Sequence, residues 1–201
     1  RALPILVLLA TNAAGYSNLT KLVSLAYLDS EPGSRAHLTS ETLFRHSEGL
    51  IVLTGGPKGP LNLALTAGQD AVASARLADL KACFGDRLYV ELQRHGTTWR
   101  AVENKLIDLA YDNDLPLVAT NEVYFARRED YEAHDTLICI AEGRVVVEDD
   151  RRKLTPDHYF KSSAEMRVLF ADLPEAIDNT LEIAQRCAFK VPKLDPILPF
   201  F

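Results

Sequence analysis

Apolar positions in this chain fall into two alternating kinds of run. Ile5 to Leu9, Leu50 to Leu53, Leu88 to Leu92 and Leu117 to Thr120 are short and almost unbroken, the pattern of strands covered on both faces. Between them, apolar residues recur every three or four positions: Leu19, Leu22, Val23 and Ala26; then Ala73, Leu77, Leu80 and Phe84; then Val102, Leu106, Leu109 and Ala110. Each set predicts an amphipathic helix, and a further helix is predicted around Tyr131 to Ala141. Strand–helix alternation with short connections implies parallel strands and right-handed crossovers. Four strands are too few for the usual eight-stranded barrel. The expected fold class is therefore α/β, an open parallel sheet or a section of a barrel without its opening strands.

Past residue 143 the periodicity fades. The segment RVVVEDDRRKLTPDHYFKS reads as an extended connector. Ser162 and Glu165 match the S-x-x-E capping box, and Asp172 ahead of Pro174 and Glu175 predicts an Asp N-cap on a last helix. Ile177, Leu181 and Ala184 supply the packing stripe expected of that helix, and the tail VPKLDPILPFF reads as a strap onto a neighbouring domain. The chain thus divides into 1–143 and a connector, 144–201.

Charge and composition narrow the function. With 47% hydrophobic and 25% charged residues the chain has the make-up of a soluble globular protein. A net charge of −6 argues against a nucleic-acid-binding surface spread over the whole chain. The basic cluster Arg151, Arg152 and Lys153 follows Glu148, Asp149 and Asp150 directly and reads as a solvated turn. Cys83, Cys139 and Cys187 are sparse, odd in number and without C-x-x-C spacing, which suits the cytoplasm and predicts lone buried thiols. The opening run RALPILVLLATNAAG reads as a buried strand, no run is long enough to span a membrane, and without an initiator Met the chain is expected to be a fragment of a longer protein.

In parallel α/β folds the loops after the strands hold the chemistry. Three such loops stand out. TGGPKGP is not a P-loop and reads as a plain strand-to-helix turn. ELQRHG places His95 just past a strand beside Gly96, where an imidazole can ligate a metal, act as acid or base, or simply be hydrogen-bonded. In VATNEVYF, Glu122 and Tyr124 stand two residues apart and are expected on one face, with Asn121 and Val123 on the other. No G-x-S-x-G elbow supports a serine hydrolase.

These segments also carry a resemblance. LVLLATNAAGYSNLTKLVSLAYL, GLIVLTGG, LYVELQRHG, LVATNEVYF, AHDTLICIAEG and YFKSSAEMRVLFADLPEAIDNTLEIAQRC occur in the order seen in the PHP domain of bacterial DNA polymerase III α subunits. The resemblance covers nearly the whole chain. It implies a distorted (β/α)7 PHP barrel, incomplete here, followed by a small helical connector toward a polymerase palm. Complete PHP sites bind Zn, Mn or Mg at the strand ends and act as phosphoesterases or as 3′–5′ proofreading exonucleases, the metal activating water and neutralising phosphate charge.

Carried over position by position, the resemblance gives a mixed site. His95 matches the family's ligand histidine. The late motif T-N-D-x-H is altered to Glu122 and Tyr124; Glu remains a metal donor and neutral Tyr is a poor one. A family histidine aligns with Ile5, which has no donor, and the opening H-x-H-type ligands would precede Arg1. The resemblance therefore implies a scaffold with a vestigial His95–Glu122 site and no cofactor of its own, within a DNA-directed DNA polymerase whose palm Mg lies outside this chain. Its implied partners are a proofreading exonuclease and other replisome subunits, with DNA reached through other domains. The alternative is an active PHP metallophosphoesterase. Loss of the opening strands is expected to leave an exposed seam, favouring dimerisation of the shortened chain.

Overall fold

A computed structural model of the chain describes residues 3–97 and 99–193. The expected strap lies mostly in 194–201, outside the described residues. Four strands form one open sheet in the order β1 (Val7–Ala10), β2 (Leu50–Leu53), β3 (Leu88–Gln93), β4 (Leu117–Thr120). Eight α-helices are described: α1 (Ala13–Leu28), α2 (Ser40–Arg45), α3 (Pro60–Thr66), α4 (Asp70–Phe84), α5 (Arg100–Tyr111), α6 (Tyr131–Glu142), α7 (Ser163–Leu169) and α8 (Pro174–Arg186). The mixed α/β architecture, with a sheet that does not close, is consistent with the incomplete barrel that the resemblance implies. No helix among the described residues is long and apolar enough to cross a membrane.

The strands β2, β3 and β4 are parallel, as the alternation implies, but β1 pairs antiparallel to β2, Val7 opposite Leu53 and Ala10 opposite Leu50. The cause is local. Both the amide and the hydroxyl of Thr11, at the end of β1, donate to the carbonyl of Gly49, just ahead of β2, each at 2.9 Å. Asn12 then caps α1 by accepting from the Gly15 amide. Gly15 lies so close to Gly49 that a β-carbon would sit 1.9 Å from its carbonyl oxygen. With the end of β1 held at the start of β2, the two strands must run in opposite directions. This reversal carries Ile5, ahead of β1, to the carboxyl end of β2, where its amide donates to the Lys58 carbonyl at 2.9 Å.

Both faces of the sheet are covered. Leu50, Val52, Leu88, Val90, Leu92, Leu117 and Ala119 join the larger core with Leu22 of α1, Leu61 of α3, the Leu77–Leu80–Phe84 stripe of α4, and Leu106 and Ala110 of α5. Ile51, Leu53, Tyr89 and Val118 point the other way and pack with Ile183 of α8. The Asn179 side chain of α8 also donates to the Leu117 carbonyl at the flank of β4. The stripe of α8 differs from the expected one: Ala176, Ile177 and Ile183 are buried, while Leu181 is 63% exposed. On α1, Val23 is likewise exposed.

Two terminal signals resolve differently. The Ser162–Glu165 capping box is formed on α7. Asp172 does not cap α8, whose N-cap is Leu173; its carboxylate instead accepts from both terminal nitrogens of Arg94 at 2.7 and 2.8 Å. Arg94 also pairs with Glu103 of α5, its Nε at 3.0–3.1 Å from both carboxylate oxygens, and lies between the rings of Trp99 and Phe170. The acidic-basic block is not wholly solvated either. Arg151, half-buried as a residue, has a side chain only 3% exposed, held in a two-pronged pair with Asp135 of α6 at 2.7 and 2.6 Å. Of the thiols, Cys139 is buried, and Cys83 and Cys187 are half-buried.

Candidate functional site

The carboxyl ends of β2, β3 and β4 meet around one buried carboxylate, Glu91. One of its oxygens accepts from the Gly55 amide at 2.8 Å; the other accepts from Gln93 at 3.0 Å and Thr120 at 2.5 Å. Its own amide donates to the Thr54 hydroxyl at 2.9 Å. A carboxyl group buried inside a sheet needs hydrogen-bond partners of this kind, and through them Glu91 ties the three strand ends together. Glu91 belongs to no motif, and its one signal in the sequence is a lone carboxylate within an apolar strand.

From the end of β2 the chain turns through Gly55, Gly56 and Gly59. Gly55 adopts φ +84°, and a β-carbon there would lie 1.8 Å from the Ile5 carbonyl oxygen. This tight turn aims Lys58 across the strand ends at β4. Its ammonium donates to Glu122 Oε1 at 2.6 Å and contacts the Tyr124 hydroxyl at 3.2 Å. The Tyr124 hydroxyl donates to the same Glu122 oxygen at 2.6 Å. Glu122 and Tyr124 therefore do share a face, as their spacing predicts. Burial works to raise the Glu122 pKa, but the Lys58 and Tyr124 hydrogen bonds outweigh it and hold the carboxyl below its usual range. Lys58 is correspondingly held above the ordinary lysine value, chiefly by its bond to Glu122.

His95 stands on the other flank. It is 8% exposed, and its Nε2 lies 2.9 Å from Asn121 Oδ1. Asn121 also accepts from Lys161 at 3.2 Å and donates to the Tyr159 carbonyl at 2.8 Å, which assigns its oxygen to the histidine and makes Nε2 the protonated nitrogen. Asn121 is thus a partner of the site rather than a residue turned away from it. The His95 ring stacks on His158 of the connector, with centroids 4.1 Å apart, and His134 of α6 lies edge-on to Tyr124. His158 and His134 show no motif spacing with His95; the fold alone assembles them. A cavity of about 510 Å³ opens beside the cluster, lined by Lys58, Gln93, His95, Glu122, His158 and Asn62 among others.

Burial, followed by the neighbouring His158, lowers the His95 pKa to about 4 from an ordinary 6.5. His158 is lowered as well, mainly by burial. The unfolded chain then binds more protons than the folded one between these values, so stability is full above pH 6.5 and declines as pH falls toward 4. The expected loss is about 1–2 kcal/mol after solvent screening. Thermal melts at pH 7 and pH 5 measure it, and His95→Gln should flatten the difference; an unchanged slope in the variant would assign the effect elsewhere.

The donor set does not suit a divalent ion as it stands. Ile5 reaches the rim with no donor atom, Tyr124 is a phenol, one Glu122 oxygen already holds an ammonium, and His95 Nε2 is engaged by Asn121. Among the described residues, no group of three or more His, Cys, Asp or Glu side chains is placed to hold a metal ion.

Known proteins match this chain closely. Residues 3–95 match the PHP domain family. The chain is 56% identical over 199 residues to a DNA polymerase III subunit alpha of Caulobacter vibrioides, covering 98% of this chain and 17% of that protein. A DNA polymerase III subunit alpha of Rickettsia bellii is 39% identical over 197 residues, and one of Pseudomonas aeruginosa 42% over 202, again across 98% of this chain and 17% of theirs. Residues 3–95 are therefore similar to the PHP domain family, and the chain is homologous, along nearly its whole length, to one segment of DNA polymerase III α subunits, spanning about 17% of their length.

Proposed function

We propose that this chain works as a scaffold within a cytoplasmic, replicative DNA polymerase α subunit. It contributes the later part of the PHP domain, with residues 144–201 leading toward the palm. Its strand-end site is a degenerate metal site, and the domain docks a separate proofreading exonuclease. Nucleotide transfer belongs to Mg-binding carboxylates of the palm, outside this chain. The observation that carries the reading is the closed Lys58–Glu122–Tyr124 cluster, in which a family ligand position is hydrogen-bonded to an ammonium and a phenol. The names of the relatives support the polymerase context.

A second reading, an active metallophosphoesterase, draws on His95: its Nδ1 has no hydrogen-bond partner among the described residues, and the ring is neutral at pH 7. Elemental analysis of the full-length polymerase after dialysis separates the two. The scaffold reading expects Zn, Mn and Mg well below one ion per chain. Two or three retained ions per chain, removed only by chelator and accompanied by phosphoesterase activity, would establish the second.

A further inference from the structure

Lys58 belongs to no motif, yet its ammonium binds both Glu122 and Tyr124 of the strand-end cluster. Its ammonium, the Tyr124 hydroxyl and Glu122 Oε1 close a triangle with sides of 2.6, 2.6 and 3.2 Å. The same ammonium lies 5.7 Å from the centre of the Tyr124 ring. Its backbone is held just as firmly. The Ile5 amide binds the Lys58 carbonyl, and neither Gly55 nor Gly59 has room for a β-carbon, each meeting a backbone oxygen at 1.8 Å. The turn can therefore present the lysine in few other ways.

A half-buried carboxylate requires a counter-charge, and a metal site normally obtains it from the ion. We propose that Lys58 is a tethered cation: its ammonium binds Glu122 Oε1 and supplies covalently the counter-charge that a divalent ion would otherwise bring, so the cluster holds its carboxylate without metal. This rests on the reading of the site as a degenerate metal site. It adds the residue that supplies the counter-charge, beside the donors already missing at Ile5 and Tyr124.

Thermal unfolding of the 201-residue chain, with Mn²⁺ or with EDTA, tests it. The unaltered chain should melt at the same temperature in both. Lys58→Met should melt lower in EDTA and recover by about 3–5 °C in Mn²⁺ at roughly ten times its dissociation constant. Adding Glu122→Gln to Lys58→Met should abolish that recovery. A Lys58→Met chain indifferent to Mn²⁺ overturns the proposal, as does a recovery that survives Glu122→Gln. A shift of the unaltered chain by Mn²⁺ would instead count against the degenerate-site reading itself. Should Lys58→Met fail to fold, amine labelling read by mass spectrometry decides. Glu122→Gln should speed acetylation of Lys58 several-fold relative to Lys21, and no change would overturn the proposal.

Discussion

Replacing Arg94 with alanine should destabilise the fold by about 3–5 kcal/mol, the usual result of removing one partner from a buried ion pair. Arg94 and Glu103 are 4% and 6% exposed at their side chains, so Glu103 would be left charged with little water to solvate it. The loss reaches further than one pair. The same guanidinium holds the Leu169 carbonyl at 2.6 Å and Asp172, and it fills the gap between Trp99 and Phe170. It thereby joins the end of β3 to α5 and to the α7–α8 corner. Urea unfolding measures the change, and the melting temperature should fall by roughly 10 °C or more for a chain of this size. Arg94→Leu with Glu103→Leu should lose much less, because no buried unpaired charge remains; Asp172, which also loses its partner, is 63% exposed and open to water. If alanine alone costs under about 1 kcal/mol, the network is solvated and the argument is wrong.

Gly55→Ala should be comparably damaging for a different reason. Alanine at φ +84° incurs about 1–2 kcal/mol of backbone strain, and its methyl would lie 1.8 Å from the Ile5 carbonyl oxygen. Backbone on both sides must then move, carrying β1 away from the turn, so a total near 3 kcal/mol or more is expected. Gly33 provides the control. It has nearly the same φ, +83°, but no heavy atom within 4 Å of a β-carbon. Gly33→Ala should therefore show the strain without the collision. Equal losses in the two variants would mean that the close approach at Gly55 relaxes freely.

What residue pattern can determine is visible in α4, where Ala73, Leu77, Leu80 and Phe84 form the buried stripe their spacing requires. The same holds for β2 and β4, found at the predicted residues, and for the Glu122–Tyr124 face, because i and i+2 project together in any extended segment. These features depend on local geometry, and the sequence alone determines them. It also located His95 and Glu122 at the strand ends and carried the family resemblance that the homologues bear out.

The rest depends on contacts between residues far apart in the chain. Strand–helix alternation is the same for either direction of β1; the Thr11–Gly49 bonds and the Gly15–Gly49 contact choose antiparallel and so bring Ile5 to the site. Asp172 had the signature of an N-cap, but a buried Arg94 makes a charge-assisted pair stronger than a cap on an exposed helix end. Arg151 looked solvated until Asp135, sixteen residues earlier on α6, took it inward. Lys58 and Glu122 are sixty-four residues apart and share no motif. Spacing specifies which way a side chain points along its own element, but which charge it meets is decided only when the elements pack.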